Sequence, residues 1–63
     1  MAVKQYDVVQ LKNGLEGTVI EVFHDHRGSA YLVEIDKPDD RGIYPTETVR
    51  DDDIGKVTYS ITE

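Results

Sequence analysis

The chain has 63 residues, and 13 acidic against seven basic side chains give it a net charge of −6 and a pI near 4.7. That length predicts one domain, residues 1–63, because typical domains contain about 100–200 residues. The absence of cysteine excludes disulfides, thiolate zinc sites and thiol nucleophiles. No apolar run approaches the ~20 residues of a membrane span, and the N-terminus lacks a signal-peptide core, so we expect a cytoplasmic protein.

Short runs of β-forming residues separated by turn residues predict an all-β chain. Asn13-Gly14 ends the first run, because both residues tolerate positive φ. A polar turn from His24 to Ser29 separates the second run from the third, which predicts a local hairpin. The five predicted strands cover residues 6–11, 18–23, 30–36, 44–50 and 57–62.

The arrangement of these strands predicts a small barrel. Residues 51–55 are too few for a full helix and predict a single 3-10 turn before the last strand. Five short strands cannot form an ordinary two-sheet sandwich, whereas closure removes exposed edges, so we predict an all-β five-stranded barrel. The choice between Val8 and Val9, and between Val19 and Ile20, stays open because both members of each pair are apolar. The predicted core is Val8, Leu11, Ile20, Val22, Tyr31, Val33, Ile35, Val49, Ile54, Val57, Tyr59 and Ile61.

Three stretches of the chain carry a family resemblance. The sequence D-V-V-Q-L at 7–11 followed by G-L-E-G-T-V-I-E-V at 14–22 resembles the opening of small bacterial SH3-like barrels, and V-R-D-D-D-I at 49–54 is similar to the acidic turn before their last strand. In these stretches the chain resembles a family of short bacterial SH3-like proteins classed only as a domain of unknown function. The resemblance covers roughly residues 5–54 and implies an SH3-like barrel without a particular activity, because turn glycines and strand hydrophobics specify fold rather than chemistry.

Two further likenesses bear on the partner. The turn at 14–19 also resembles, more weakly, the KOW motif of ribosomal and transcription-elongation proteins. RNA-binding KOW modules place Lys and Arg around that turn, whereas here the flanks are Glu16 and Glu21. Residues 34–63 hold nine acidic and four basic side chains. This excess of negative charge repels phosphates and anionic membranes, so we expect no nucleic-acid or membrane binding. Peptide-binding SH3 domains bind proline-rich ligands in a groove with a central tryptophan. This chain contains no tryptophan, so we do not expect it to recognise PxxP ligands.

An apolar patch is the first candidate site. Phe23 is out of phase with Ile20 and Val22, so if those two face the core, Phe23 lies outside with Val19. Leu32 on the neighbouring strand joins them. Such a patch is a contact surface for a partner or for a second copy. The structural alternative is that barrel curvature and loops cover it.

Polar clusters supply the other candidates. His24 and His26 lie on one side of an extended segment and are weak metal candidates, but two ligands are too few for a tight site, and a solvated turn is the alternative. Six aspartates form a candidate surface for a basic partner. In the alternative interpretation one of them caps the 3-10 turn and the others are solvated. The six are Asp36, Asp39, Asp40, Asp51, Asp52 and Asp53.

Catalytic motifs are missing from the sequence. It contains no nucleophile elbow, phosphate loop, zinc-protease motif or dinucleotide fingerprint, and so small a barrel has little cleft, which favours a non-enzyme without cofactor. We therefore predict a protein-binding module, monomeric or weakly homodimeric. The alternative is an acidic mimic that occupies the nucleic-acid site of another protein, as a phage anti-defence inhibitor or an antitoxin does. A contiguous exposed aromatic patch favours the module, and carboxylates at phosphate-like spacing favour the mimic.

Overall fold

The computed structural model describes residues 3–60, which form one antiparallel sheet. The elements are β1 (Val8–Leu11), β2 (Glu16–Asp25), β3 (Gly28–Ile35), β4 (Thr46–Arg50), the 3-10 turn (Asp51–Asp53) and β5 (Ile54–Tyr59). The strand order is β4-β3-β2-β1-β5, and the 3-10 turn separates the two edge strands. The all-β class and the short turn before the last strand are therefore confirmed, while Ile61 and the end of the predicted fifth strand lie outside the described residues.

The sheet curls but does not close. In residues 3–60 strand pairing joins β4 only to β3 and β5 only to β1, so the two edge strands do not pair with each other. Curling nevertheless brings β1 and β4 to one shared groove, although two strands separate them in the sheet. The amide of Lys12 also donates to the carbonyl of Asp53 at 2.9 Å, which ties the end of β1 to the 3-10 turn. A closed barrel therefore stays a prediction.

A β-bulge at Ile20 decides which side of β2 faces the core. Ile20 lies between Val19 and Glu21 and has no partner in the otherwise regular pairing with β3. One inserted residue reverses the facing of the side chains that follow it, so Val19 before the bulge and Val22 after it both pack on the core. The predicted core includes Ile20 and places Val19 outside it. That prediction is wrong, since Val19 is completely buried.

The core lies on the concave side of the sheet and contains fewer aromatic side chains than predicted. Val9 rather than Val8 is buried in β1, and Tyr59 is 63% exposed, which contradicts its predicted place in the core. Of the five aromatic residues, all within the described part, Tyr31 alone is buried, where the sequence predicts two or three. The buried apolar residues are Val3, Val9, Leu11, Val19, Ala30, Tyr31, Val33, Ile35, Val49 and Ile54.

A glycine and a tight turn hold β2 against β3. A Cβ at Gly17 would lie 2.4 Å from the carbonyl oxygen of Glu34, so this position has room only for glycine. The hairpin turns through two residues, His26 and Arg27, and is shorter than the predicted turn. Gly28 then takes a φ of +116°, a conformation that glycine adopts without steric cost. The hairpin therefore fixes the register in which the end of β2 pairs with β3.

A buried carboxylate joins the two ends of the described chain. Asp7 is 2% exposed and accepts hydrogen bonds from the backbone amide of Lys4 at 2.9 Å and from the hydroxyl of Ser60 at 2.7 Å. Its carbonyl accepts the amide of Val19 at 2.8 Å. Breaking these hydrogen bonds would leave a buried polar group without a partner, which is costly. The bonds therefore hold the segment before β1 and the residue after β5 together and attach them to β2.

Candidate protein-interaction surface

The convex side of the β2–β3 hairpin carries an apolar patch, which we call the outer patch (Phe23, Ala30 and Leu32). Phe23 pairs directly with Ala30, and Leu32 is two residues further along the same strand, so all three side chains share one face. Phe23 and Leu32 are diagonal neighbours, roughly 7 Å apart, which is within reach of an aromatic ring. Phe23 is 48% exposed and Leu32 is partly exposed.

Val19 does not belong to this patch. The sequence groups it with Phe23 because the two are four residues apart on one strand. The bulge at Ile20 intervenes, and Val19 pairs with Val33 inside the core. The predicted patch is therefore corrected to Phe23 and Leu32, with Ala30 between them. Ala30 is only 7% exposed, because its cross-strand partners, Phe23 on β2 and Arg50 on β4, flank it on both sides.

An ion pair borders the outer patch. The guanidinium of Arg50 donates to both carboxylate oxygens of Asp25, at 3.4 and 3.2 Å, across the start of β3. This hydrogen bonding, together with the amide of Arg27, lowers the pKa of Asp25 below its ordinary value. Both side chains are about two-fifths exposed, so the pair contributes little to stability but holds Arg50 over Ala30.

Uncompensated carboxylates lie on the other sides of the patch. Glu21 pairs with Leu32, and Glu34 follows two residues later on the same face of β3. Both are exposed, and neither has an ion pair among the described residues. Glu21, Glu34 and the Asp25–Arg50 pair are neighbours of the patch that the sequence pattern did not identify. The two-residue repeat from Phe23 back to Glu21 was a signal that could have identified the first of them.

The aspartates of the 3-10 turn are partly structural. Asp53 accepts the backbone amide of Arg50 at 3.0 Å and so caps the turn, while Asp51 accepts the hydroxyl of Tyr31 at 2.5 Å. Burial of the Tyr31 ring, reinforced by this carboxylate, raises the pKa of its hydroxyl above the ordinary value. Asp52 is exposed. The capping interpretation therefore describes one of the three residues, and Asp51 has a structural partner that the sequence did not reveal.

The aspartates of the β3–β4 loop form a separate group. Asp39 accepts the amides of Arg41 and Ile43, at 2.8 and 3.0 Å, and so shapes the loop, while Asp36 and Asp40 are exposed. This loop precedes β4 and the 3-10 turn follows it. The five-residue strand spans about 17 Å, so the six aspartates form two clusters, at opposite ends of β4, rather than one surface.

The two histidines end the β2–β3 hairpin. His24 Nδ1 lies 3.0 Å from the hydroxyl of Ser29, its direct partner on β3, and His26 begins the exposed turn. Residues 3–60 hold no group of three His, Asp or Glu side chains positioned for a metal ion. Nothing in the geometry of this turn brings a third ligand to His24 and His26.

Two shallow depressions lie beside β4. One, of about 330 Å³, contains the cationic and anionic side chains at the tip of the hairpin and the start of the 3-10 turn; it is lined by Arg27, Ser29, Arg50, Asp51 and Asp52. The other, of about 210 Å³, separates β4 from the turn after β1; it is lined by Leu11, Lys12, Asn13, Glu47, Thr48, Val49 and Asp53. Both are at or below the lower end of the range for small-molecule sites.

Comparison of the chain with family models, with curated proteins and with solved structures gives no match. In the part of the chain that the structure describes, no helix is long and apolar enough to cross a membrane.

Proposed function

We propose that this chain is a non-catalytic protein-binding module whose contact surface is the outer patch. The observation that carries the proposal is a half-exposed phenylalanine, Phe23, which the register of the β2–β3 hairpin places beside Leu32. Aromatic side chains that keep a fixed geometry contribute strongly to interfaces, because little conformational entropy is lost when they are covered. A protein partner that covers the patch gains from burying both side chains.

The charges around the patch favour a partner with a basic surface. Glu21 and Glu34 border it without ion pairs among the described residues, and the aspartate clusters lie at both ends of β4 nearby. Such a field raises the rate of encounter with a basic protein and repels acidic ones. The apolar patch would then supply the affinity that remains at high salt.

The fold that we propose for the module is an SH3-like barrel. The strand order, with a 3-10 turn between the edge strands β4 and β5, supports it, as does the curl that brings β1 close to β4. Fold alone implies no activity, so the proposed function rests on the patch rather than on the family resemblance.

The separation of the carboxylates supports the module over the nucleic-acid mimic. A mimic needs carboxylates in a continuous array, whereas here the clusters are divided by β4, and Arg50 and Arg27 lie beside one of them. Asp39, Asp51 and Asp53 are also occupied by hydrogen bonds within the fold.

A pull-down with matched variants tests the proposal. Tagged wild-type, Phe23→Ser and Tyr59→Ser proteins are incubated with lysate of the host at low and high salt. Tyr59 is an exposed aromatic residue on a strand outside the patch, so its replacement controls for loss of any surface ring. We expect a protein that is retained at high salt by wild type and Tyr59→Ser and is lost with Phe23→Ser. A partner that salt or added DNA releases, and that Phe23→Ser still captures, would contradict the proposal and favour the mimic.

A further inference from the structure

The two edges of the sheet differ in how open they are to a further strand. The pairing of β5 with β1 is shifted between Val8 and Val9 and again between Gln10 and Leu11. The pairing of β4 with β3 runs through five consecutive residue pairs without a shift. Because bulges twist an edge away from further pairing, β5 is protected and β4 is a regular open edge.

The register identifies the backbone groups that this edge offers. The amide of Ile35 donates to the carbonyl of Pro45 at 2.8 Å, and bonded pairs alternate along an antiparallel ladder. Glu47 and Val49 therefore bond to β3, whereas the N–H and C=O groups of Thr46 and Thr48 point away from it. In residues 3–60 no other segment hydrogen-bonds to these groups.

Neither end of β4 blocks this free edge. The backbone groups of Pro45 face β3. The N–H that proline lacks would therefore not have been one of the donors on the free edge. The amide of Arg50 is already satisfied by Asp53, which ends the free edge at Thr48. Thr46 and Thr48 together present two donors and two acceptors, enough to align a short strand.

Space and apolar contacts accompany the edge. The depression of about 210 Å³ runs beside Thr48, with Val49 and Leu11 among its lining residues. Ile43 and Tyr44, which precede Pro45 ahead of β4, are 53% and 48% exposed. An added strand would therefore find room for side chains beside the edge and an apolar contact at its start.

Charge selects the occupant. Residues 34–53, which contain β4 and both aspartate clusters, hold eight acidic and three basic side chains. A second copy of the chain would bring the same excess of negative charge to the contact and be repelled, whereas an extended basic segment is attracted at both ends. We propose that the free edge of β4 accepts a lysine- or arginine-rich extended segment of a partner protein as an additional strand of the sheet. This inference rests on the proposed function, since it specifies how the module would hold a basic partner.

Titration with a defined peptide tests the inference. The probe is an alternating Lys-Val peptide of about six residues, the length of an average strand. Its controls are a Glu-Val peptide and a Lys-Val peptide N-methylated at every amide, which keeps the charge but removes the backbone donors from both edges of the peptide. We expect the Lys-Val peptide alone to shift the amide resonances of Thr46 and Thr48 and to slow their hydrogen exchange. Equal binding of the methylated peptide, or shifts confined to β5, would overturn the inference.

Two variants locate the contact on the chain. Thr48→Pro removes one free-edge donor without touching the ladder to β3, and Thr48→Val keeps the donor and the strand propensity. We expect Thr48→Pro to weaken peptide binding about tenfold, as loss of a backbone hydrogen bond with its steric consequences implies, and Thr48→Val to bind as wild type. If Thr48→Pro binds the peptide as tightly as wild type, while hydrogen exchange shows that its β3–β4 ladder is intact, the free edge of β4 is not the binding site.

The remaining outcomes separate this inference from the proposed function. Sedimentation in which the wild-type chain associates with itself and Thr48→Pro does not would overturn the inference in favour of a second copy. Peptide binding that Phe23→Ser abolishes and Thr48→Pro leaves intact would also overturn it, while supporting the outer patch. Peptide binding at the edge, combined with a captured partner that is indifferent to Phe23→Ser, would support the inference and refute the proposed function.

Discussion

Replacement of Gly17 by alanine tests how closely β2 and β3 pack. Gly17 is buried between Val9 on β1 and Ile35 on β3. An added Cβ would lie 2.4 Å from the carbonyl oxygen of Glu34 and 2.6 Å from a methyl carbon of Val33. The valine can rotate, but the carbonyl belongs to the ladder, so the strands themselves must separate. We therefore expect Gly17→Ala to be far more harmful than an ordinary glycine substitution.

The size of the effect follows from these contacts. Overpacking a well-packed site costs typically 1–3 kcal/mol, and a clash with the backbone lies at the upper end, so we expect a loss of about 3 kcal/mol. A 63-residue domain without disulfides has a total stability of only ~3–5 kcal/mol. Gly17→Ala should therefore be close to its unfolding midpoint in buffer alone.

Urea denaturation followed by circular dichroism measures the loss, with Gly55→Ala as the matched control. Gly55 also lies in a strand, and a Cβ there would meet the carbonyl oxygen of Gln10 at 3.2 Å, which a small shift of the edge strand β5 relieves. We expect Gly55→Ala to cost about 1 kcal/mol or less, because an edge strand adjusts more easily. A free energy of unfolding for Gly17→Ala within about 1 kcal/mol of wild type would refute the close packing of β2 on β3.

Two further predictions concern side chains whose hydrogen bonds cross the fold. Asp7→Ala leaves the amide of Lys4 and the hydroxyl of Ser60 without their acceptor, so we expect urea denaturation to show a free energy of unfolding lower by about 1–3 kcal/mol. Ser60→Ala removes only one of the two bonds and should cost less. Equal losses for the two variants would contradict the bridging role of Asp7. Tyr31 has a folded-state pKa above its unfolded value near 10.0, so its stabilising contribution is complete below that pH and is lost as the pH rises through the folded-state pKa. Tyr31→Phe should lower the free energy of unfolding by about 1 kcal/mol at neutral pH, and its stability should fall less than that of wild type as the pH rises above 10. If stability falls equally in the two proteins at alkaline pH, the role of the Tyr31 hydroxyl is contradicted.

The class of fold was predictable because its signals are local. Turn residues such as Asn13-Gly14 and Gly28 separate β-forming runs, and the short acidic run before Ile54 cannot hold a full helix. The ends of the strands were less accurate: β2 extends to Asp25, and β5 begins at Ile54 rather than at residue 57. Those limits depend on pairing with neighbouring strands, which a single run of residues does not specify.

The facing of side chains was predictable only where the alternation is uninterrupted. In β3 the prediction that Tyr31, Val33 and Ile35 face the core is confirmed. In β2 the bulge at Ile20 shifts the phase, and no residue type in that apolar run marks where the extra residue lies. Uninterrupted alternation therefore places Val19 on the outer face with Phe23, whereas Val19 is buried and only Phe23, beyond the bulge, is exposed as expected.

The candidate surface was predictable in part for the same reason. Phe23 and Leu32 come together because hairpin register is set by a short local turn. The pairing of Asp25 with Arg50 joins residues on β2 and β4 across β3, and the bond from Tyr31 to Asp51 spans a similar distance in the chain. Such contacts require the tertiary fold, which the sequence pattern alone does not determine.

The most direct test of the central claim is the affinity of the captured partner for wild type and for Phe23→Ser at a series of salt concentrations. We predict that Phe23→Ser weakens binding roughly tenfold or more at every concentration, as loss of an aromatic anchor implies, while the slope of affinity against salt is unchanged. Tyr59→Ser should follow the wild-type line. If Phe23→Ser instead coincides with wild type, and binding is abolished by salt for both, the outer patch is not the contact surface and the charges alone hold the partner.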